Sequence, residues 1–277
     1  MIKSSELNKI ANKEGVRQQQ IEKDYVISWI LWGISNHTIL NKVLVFKGGT
    51  CLKKIYFENY RYSEDMDFTL VSIGDKNLSD NDIFLALSDL FLAIKEEANI
   101  DLTIPENSKG IHESSGSLKF YINYIGPLGG NGDHVKVDLT KGEKLEFDTV
   151  YRKVLHQYTD LEELGEGFNV QSYHINEIII EKMTALMGRT VPRDLYDFDY
   201  LTNFEGLEVQ NVYYEFERKA SHKGHNPKEF IEKVSKKVKT FESSWNENLS
   251  HQVKDLPKFK DVWRDVNKQF RILEKIK

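Results

Sequence analysis

Hydrophobic positions in the first 35 residues recur at helical spacing. Ser5 is placed to cap a short helix running to about Lys13, and Gly15 to end it. A second helix is predicted from Gln18 to Ser35, with Ile21, Tyr25, Trp29 and Trp32 along one face. After Leu44-Val45-Phe46 the period changes. Met66-Asp67-Phe68-Thr69-Leu70 alternates apolar and polar, as a half-buried strand does. A helix over 80–98 follows, with Ile83, Leu87, Leu90 and Ile94 on one face. Strands are predicted at 118–125 and 135–140, separated by the turn-rich Gly126-Pro127-Leu128-Gly129-Gly130-Asn131-Gly132. From Asn176 onward the pattern is helical, in segments 176–188, 193–203, 207–220, 227–249 and 258–275. The expected class is therefore α+β: a mixed α/β front part with N-terminal helices (1–165) and an all-helical part (166–277), meeting within 155–175.

With 277 residues, 40% hydrophobic and 29% charged, the chain has the composition of an ordinary globular protein of one or two domains. Cys51 is the only cysteine, which excludes an intrachain disulfide framework and a cysteine-based zinc site. The longest mostly apolar stretch, Tyr25 to Ile34, is far short of the ~20 residues a membrane span needs. The opening Met1-Ile2-Lys3-Ser4-Ser5 lacks the apolar core of a signal peptide. A cytoplasmic location without membrane association is expected. Charge changes this picture in one place. The formal charge is −5, yet Arg218 to Lys239 holds eight Lys or Arg against Glu229 and Glu232. Such a run either guides a polyanion to one surface or is simply a solvated helix face.

The stretch richest in chemistry is Phe46-Lys47-Gly48-Gly49-Thr50, followed by Arg61-Tyr62-Ser63-Glu64-Asp65-Met66-Asp67-Phe68. Side chains at i and i+2 of a strand point the same way, so Asp65 and Asp67 share one face while Met66, Phe68 and Leu70 face the core. Adjacent carboxylates repel unless a cation lies between them, and this spacing suits Mg²⁺ completed by phosphate oxygens and water. Two glycines remove the side chains that would keep a polyphosphate from the backbone N–H groups, and Thr50 offers a hydroxyl at a helix start. A third carboxylate, Asp138, lies opposite the inward Val135, Val137 and Leu139. Three carboxylates beside a glycine turn could form a site for one or two metal ions that transfers phosphoryl groups.

Taken together, the run Gly48-Gly49-Thr50, ten residues, then Arg61-Tyr62-Ser63-Glu64-Asp65-Met66-Asp67-Phe68 resembles the AbiEii/AbiGii-type nucleotidyltransferase toxins of the polymerase-β-like superfamily. Glu181-Lys182-Met183-Thr184-Ala185, Arg193-Asp194-Leu195-Tyr196-Asp197 and the early Glu22-Lys23-Asp24-Tyr25 resemble further segments of that family. The likeness runs in order over about 18–202, and no motif is recognised beyond 205. The gap between the glycine turn and the aspartate pair matches the toxin branch better than classical polymerases. The resemblance implies a polymerase-β-like mixed sheet and NMP transfer from an NTP to an acceptor hydroxyl. It further implies Gly48, Gly49, Thr50, Ser63 and Arg61 around the triphosphate, Mg²⁺ on Asp65 and Asp67, Lys182 on phosphate, and Asp197 as a further acid with Asp194 one turn away. MenT-type relatives modify the 3′ end of tRNA, so RNA is the implied acceptor, and a separately encoded antitoxin the implied partner in a toxin–antitoxin or abortive-infection pair.

Other patterns lead elsewhere. Arg218 and His225 fit the loose Arg-x₄₋₆-His spacing of HEPN ribonucleases, with a surface histidine as the plainer reading. A nucleotide- or RNA-binding module without transfer is a second alternative, disfavoured by the paired aspartates. His112, His134, His156, His174 and His251 show no metal-ligand spacing, and Trp29, Trp32, Trp245 and Trp263 read as core anchors.

Overall fold

The structure, a computed structural model, describes residues 1–72, 78–105 and 116–276; His112 falls outside them. The chain divides into two compact units, one of residues 1–143 and 149–173, the other of residues 144–148 and 174–277.

The first unit is built on seven strands: β1 (Leu44–Lys47), β2 (Asp65–Leu70), β3 (Asp101–Thr103), β4 (Ser117–Ile125), β5 (Asp133–Lys141), β6 (Val150–Lys153) and β7 (Asn169–Ser172). They form one mixed sheet in the order β3-β4-β5-β2-β1-β7-β6. Central β2 runs antiparallel to β1 and parallel to β5. The alternation in β5 holds: Val135, Val137 and Leu139 are buried, and Asp138 takes the other face. In β2 the expectation fails at its far end, where Thr69 is buried and Leu70 half-buried. The Thr69 hydroxyl pairs with the Tyr173 hydroxyl at 2.5 Å, and that bond allows a polar side chain to be buried in place of an apolar one.

Helices α1 (Ser4–Glu14), α2 (Gln18–Asn36), α3 (Leu40–Val43), α4 (Gly48–Cys51), α5 (Asp80–Ala98) and α6 (Thr159–Glu162) complete this unit. Gly15, left-handed at φ 68°, ends α1 as expected. Helix α2 differs from its expected one-faced pattern: Ile21, Tyr25, Val26, Ile27, Trp29, Ile30, Leu31 and Ile34 are all buried, so it is enclosed on nearly every side. Trp29 is buried but Trp32 only half-buried. Strands β6 and β7, for which the sequence pattern gives no strand, have four residues each.

The second unit contains α7 (Ile175–Gly188), α8 (Pro192–Asp199), α9 (Tyr213–His222), α10 (Phe230–Ser235), α11 (Val238–Leu249) and α12 (Phe259–Leu273). The single helix expected over 227–249 is broken between α10 and α11. At the break, the Lys237 ammonium donates to the carbonyls of Leu186, Met187 and Arg189 at 3.0, 2.9 and 3.2 Å, closing the C-terminal end of α7. Trp245 is buried and its indole N–H donates to the Pro257 carbonyl at 2.9 Å; Trp263 is half-buried. No helix among the described residues is long and apolar enough to cross a membrane.

Asp199 at the end of α8 is buried, accepts a hydrogen bond from Asn203 at 2.9 Å, and has its carboxyl raised to about 7 by burial and by Asp265. Because its folded value lies above that of an unfolded aspartate, the folded state binds the extra proton between pH 4 and 7, and stability falls as pH rises through that window. Asp199→Asn should therefore gain in thermal midpoint relative to wild type on going from pH 5 to pH 8, the gap widening by the equivalent of about 2–4 kcal/mol. A pH-independent gap in scanning calorimetry would refute this.

Candidate active site

The antiparallel register sets Lys47 opposite Asp67 and Phe46 opposite Phe68. Chain direction then changes at Gly48, whose φ of +81° is the left-handed conformation that glycine tolerates best. The change carries the backbone over the Asp67 side chain, so a Cβ on Gly48 would sit 2.4 Å from Asp67 Oδ2. Gly49 makes an equally close approach to a different group: a Cβ there would lie 2.4 Å from Arg61 Nη2. Two adjacent glycines thus bring bare backbone against one carboxylate and one guanidinium.

Helix α4 begins at this turn and continues without a break into a widened turn over 52–56, where the Phe57 N–H donates to the Leu52 carbonyl five residues back, at 2.9 Å. Thr50 is buried and its hydroxyl donates to the Asp65 backbone carbonyl, tying the glycine turn to the first residue of β2. The sequence suggests only a hydroxyl available to a nucleotide; the observed bond gives Thr50 an internal task. Arg61 is buried, donating from Nη1 to the Tyr62 carbonyl at 3.3 Å with its guanidinium 5.5 Å from the Tyr60 ring centroid. Ser63 is buried on the same approach to β2.

Asp65 and Asp67 are half-buried two residues apart on β2. Asp138 is the register partner of Asp67 across the parallel β2–β5 pair. One oxygen of Asp138 accepts from Lys119 at 2.8 Å, and the other, Oδ1, is buried with no hydrogen-bond partner. Among the described residues, no group of three His, Cys, Asp or Glu side chains stands ready to hold a metal ion.

The second unit gathers the other expected residues. Lys182 on α7 is buried, with its ammonium 3.1 Å from Asp194 Oδ1 and 2.7 Å from Asp197 Oδ2 on α8. Arg189 engages Asp194 through Nε at 2.6 Å and Nη2 at 2.9 Å. Burial would raise the Asp194 carboxyl, but Lys182 and Arg189 together hold it below the usual range. The two aspartates of Arg193-Asp194-Leu195-Tyr196-Asp197 therefore share one lysine, as one helical turn permits; Arg193 is outside this contact, and Arg189 supplies the guanidinium instead.

The basic run reads differently once paired. Arg218 donates to Glu146 at 2.6 Å and Lys219 is buried against Glu177 at 2.6 Å. Lys233 pairs with Glu229, and Lys236 with Glu232. Arg218, the arginine of the HEPN-like spacing with His225, is thus engaged by Glu146.

The sequence matches, over residues 29–268, the family described as the nucleotidyl transferase AbiEii toxin of type IV toxin–antitoxin systems. The chain belongs to that family. MenT4, a nucleotidyltransferase toxin from Mycobacterium tuberculosis H37Rv, shares its fold at a TM-score of 0.60 and 17% identity, over 79% of this chain and 70% of that one. JHP933 from Helicobacter pylori does so at 0.57 and 15% identity, over 94% of each chain. No curated protein matches the sequence. This AbiEii-family chain is a nucleotidyltransferase with the mixed sheet and helical C-terminal part of the nucleotidyltransferase toxins. Its family match reaches 268, so the helices beyond 205, which carry no recognised motif, lie largely inside the family's extent.

Gly48 and Gly129 separate conformation from contact. Both have positive φ, but nothing lies within 4 Å of a Cβ built at Gly129. Gly48→Ala and Gly129→Ala should each carry a left-handed cost of ~1 kcal/mol. Only Gly48→Ala should also displace the Asp67 carboxylate and lower nucleotidyl transfer, by about 10²-fold. Equal activity of the two alanine variants would show that the contact is dispensable.

Proposed function

We propose that this AbiEii-family enzyme moves a nucleoside monophosphate from an NTP to a hydroxyl of RNA, foremost the 3′ end of tRNA, and that Mg²⁺ held by Asp65 and Asp67 is its cofactor. The acceptor hydroxyl attacks the α-phosphorus and gives up its proton to water, the α–β phosphoanhydride bond breaks, and pyrophosphate leaves with the electron pair. The observation that carries this reading is the meeting of a carboxylate with bare backbone: Asp67 Oδ2 lies too close to Gly48 for any Cβ to fit there without displacing it.

The donor set fits a hard divalent cation. Mg²⁺ is commonly bound by one or two carboxylates plus substrate phosphates and water, so a pair on β2 suffices without a third protein ligand. The unpartnered buried Oδ1 of Asp138 adds an acceptor one strand away. When bound, the cation neutralises charge on the phosphates and on the attacking oxygen. The protein's own part is placement. Gly48 and Gly49 carry no side chain that would keep a polyphosphate from the backbone N–H groups, and Thr50 and Ser63 are the hydroxyls assigned to the same nucleotide. Arg61 offers a guanidinium against the same turn. Lys182 is the compact phosphate-binding cation, with Asp197 and Asp194 orienting its ammonium. A separately encoded antitoxin is the proposed partner, following from the family's type IV toxin–antitoxin systems.

Incubation with labelled NTPs, Mg²⁺ and total tRNA tests the reading. Asp65→Ala and Asp67→Ala should each lose at least about 10²-fold of labelling, and chelation of divalent cations should abolish it. Undiminished labelling by both variants would overturn the proposed site; transfer to protein alone would overturn the RNA acceptor and leave the site standing.

A further inference from the structure

The helix that opens with Gly48 and Gly49 ends in a buried charge network. Lys54 lies in the widened turn and is 1% exposed; Asp24 on α2 is 3% exposed. The Lys54 ammonium donates to Asp24 Oδ2 and, at 2.9 Å, to the Ser28 hydroxyl. The same Asp24 oxygen accepts from the Tyr158 hydroxyl at 2.7 Å, and Nζ lies 5.7 Å from the Tyr158 ring centroid. The Lys54 carbonyl meanwhile accepts from the Leu155 N–H at 2.6 Å. Backbone and side chain of one residue in the widened turn are thus each held by a tertiary hydrogen bond.

Stability alone is a poor reason for such a pair. Desolvating an ammonium and a carboxylate offsets most of their attraction, and apolar side chains of similar volume do as well or better. Directional hydrogen bonds supply what apolar packing lacks, a fixed orientation. The helix is short and enclosed, and its first turn is anchored independently by Thr50 on Asp65. With both ends held, its pitch sets where the glycine backbone meets the Asp67 carboxylate.

We propose that Asp24 and Lys54 are positioning residues for the nucleotide: their hydrogen-bonded pair fixes the widened turn over 52–56 and through it the placement of Gly48, Gly49 and Thr50 against Asp67. This rests on the nucleotidyl-transfer reading above. It also gives a physical task to Asp24 in the Glu22-Lys23-Asp24-Tyr25 segment, far in sequence from the glycine turn.

Two variants test it. Asp24→Leu combined with Lys54→Met replaces the pair by apolar side chains, and Tyr158→Phe removes one donor to Asp24 while keeping the ring. For each, NTP KM, acceptor KM, thermal midpoint and amide hydrogen exchange of 48–56 are measured on the full chain. NTP KM should rise about tenfold in the double variant and about threefold in Tyr158→Phe, with acceptor KM unchanged. Exchange over 48–56 should accelerate by similar factors while β4 and β5 keep their protection. A folded variant with unchanged NTP KM and unchanged exchange at 48–56 overturns the proposal, as does loosening spread evenly through the first unit. If the double variant fails to fold, Tyr158→Phe decides by the same readouts. Should wild type transfer no nucleotide, the functional reading fails, while exchange at 48–56 still reports on positioning.

Discussion

The register between β1 and β2 is the constraint on which the candidate site depends. Pairing Lys47 with Asp67 puts Gly48, the next residue, directly over the Asp67 carboxylate. A slip of one residue would turn Asp65 and Asp67 to the opposite face and send Met66 and Phe68 out of the core. The register is protected by what surrounds it. Phe46 and Phe68 pack as tilted rings with centroids 5.1 Å apart, β2 pairs with β5 over all its residues, and Thr50 hooks the start of β2 from the helical side. Burial and chemistry thus share one determinant: the hydrophobic face that locks the strands also aims the carboxylates.

A second set of constraints converges on four consecutive residues of α2. Glu22 accepts from the Leu128 N–H at 2.7 Å and fills the space beside Gly126; burial keeps its carboxyl raised even so. Lys23 pairs with Glu64, the neighbour of Asp65, and with Asp133 at the start of β5. Asp24 holds Lys54, and the Tyr25 hydroxyl donates to Asp160 at 2.6 Å. Successive residues of a helix point about 100° apart, so only a helix enclosed on nearly all sides can use four in a row for tertiary bonds. That is the physical meaning of α2 being enclosed on nearly every side rather than amphipathic.

The sequence made some of this legible and hid the rest, for identifiable reasons. The aspartate pair, the glycine turn and the alternation around Asp138 were readable because a strand has an exact period of two and a glycine doublet has few neighbours it can accommodate. Lys182 and Asp197 came from the family likeness; that Asp194 and Asp197 share one face follows from helical spacing, whereas their contact with Lys182 is made between α7 and α8. Strands β6 and β7 were invisible because four residues are too few to establish a period, and Tyr151 to Lys153 are exposed with no alternation to betray them. The break between α10 and α11 was hidden for another reason: a lysine at 237 looks like any helical lysine until its ammonium is seen closing the end of α7. Lys54 and Asp24 were unreadable as partners because 30 residues separate them, and no local pattern reports that a lysine points inward.

The basic run shows how far charge counting can mislead. From Arg218 to Lys239 the sequence carries a net excess of six positive charges, enough to suggest a track for a polyanion. Affinity of that kind grows with the number of cations that can replace counterions on phosphates, and a cation already held by a carboxylate contributes little. Arg218 and Lys219 are engaged by Glu146 and Glu177, residues outside the run, while Lys233 and Lys236 are paired inside it. Lys237 serves helix carbonyls, and burial lowers its ammonium's proton affinity. Lys228 and Lys239 lie exposed on the surface. Much of the excess thus disappears into the fold of the second unit, so any grip on a nucleic acid from this segment rests on fewer cations than the charge count suggests and should have a correspondingly shallow salt dependence.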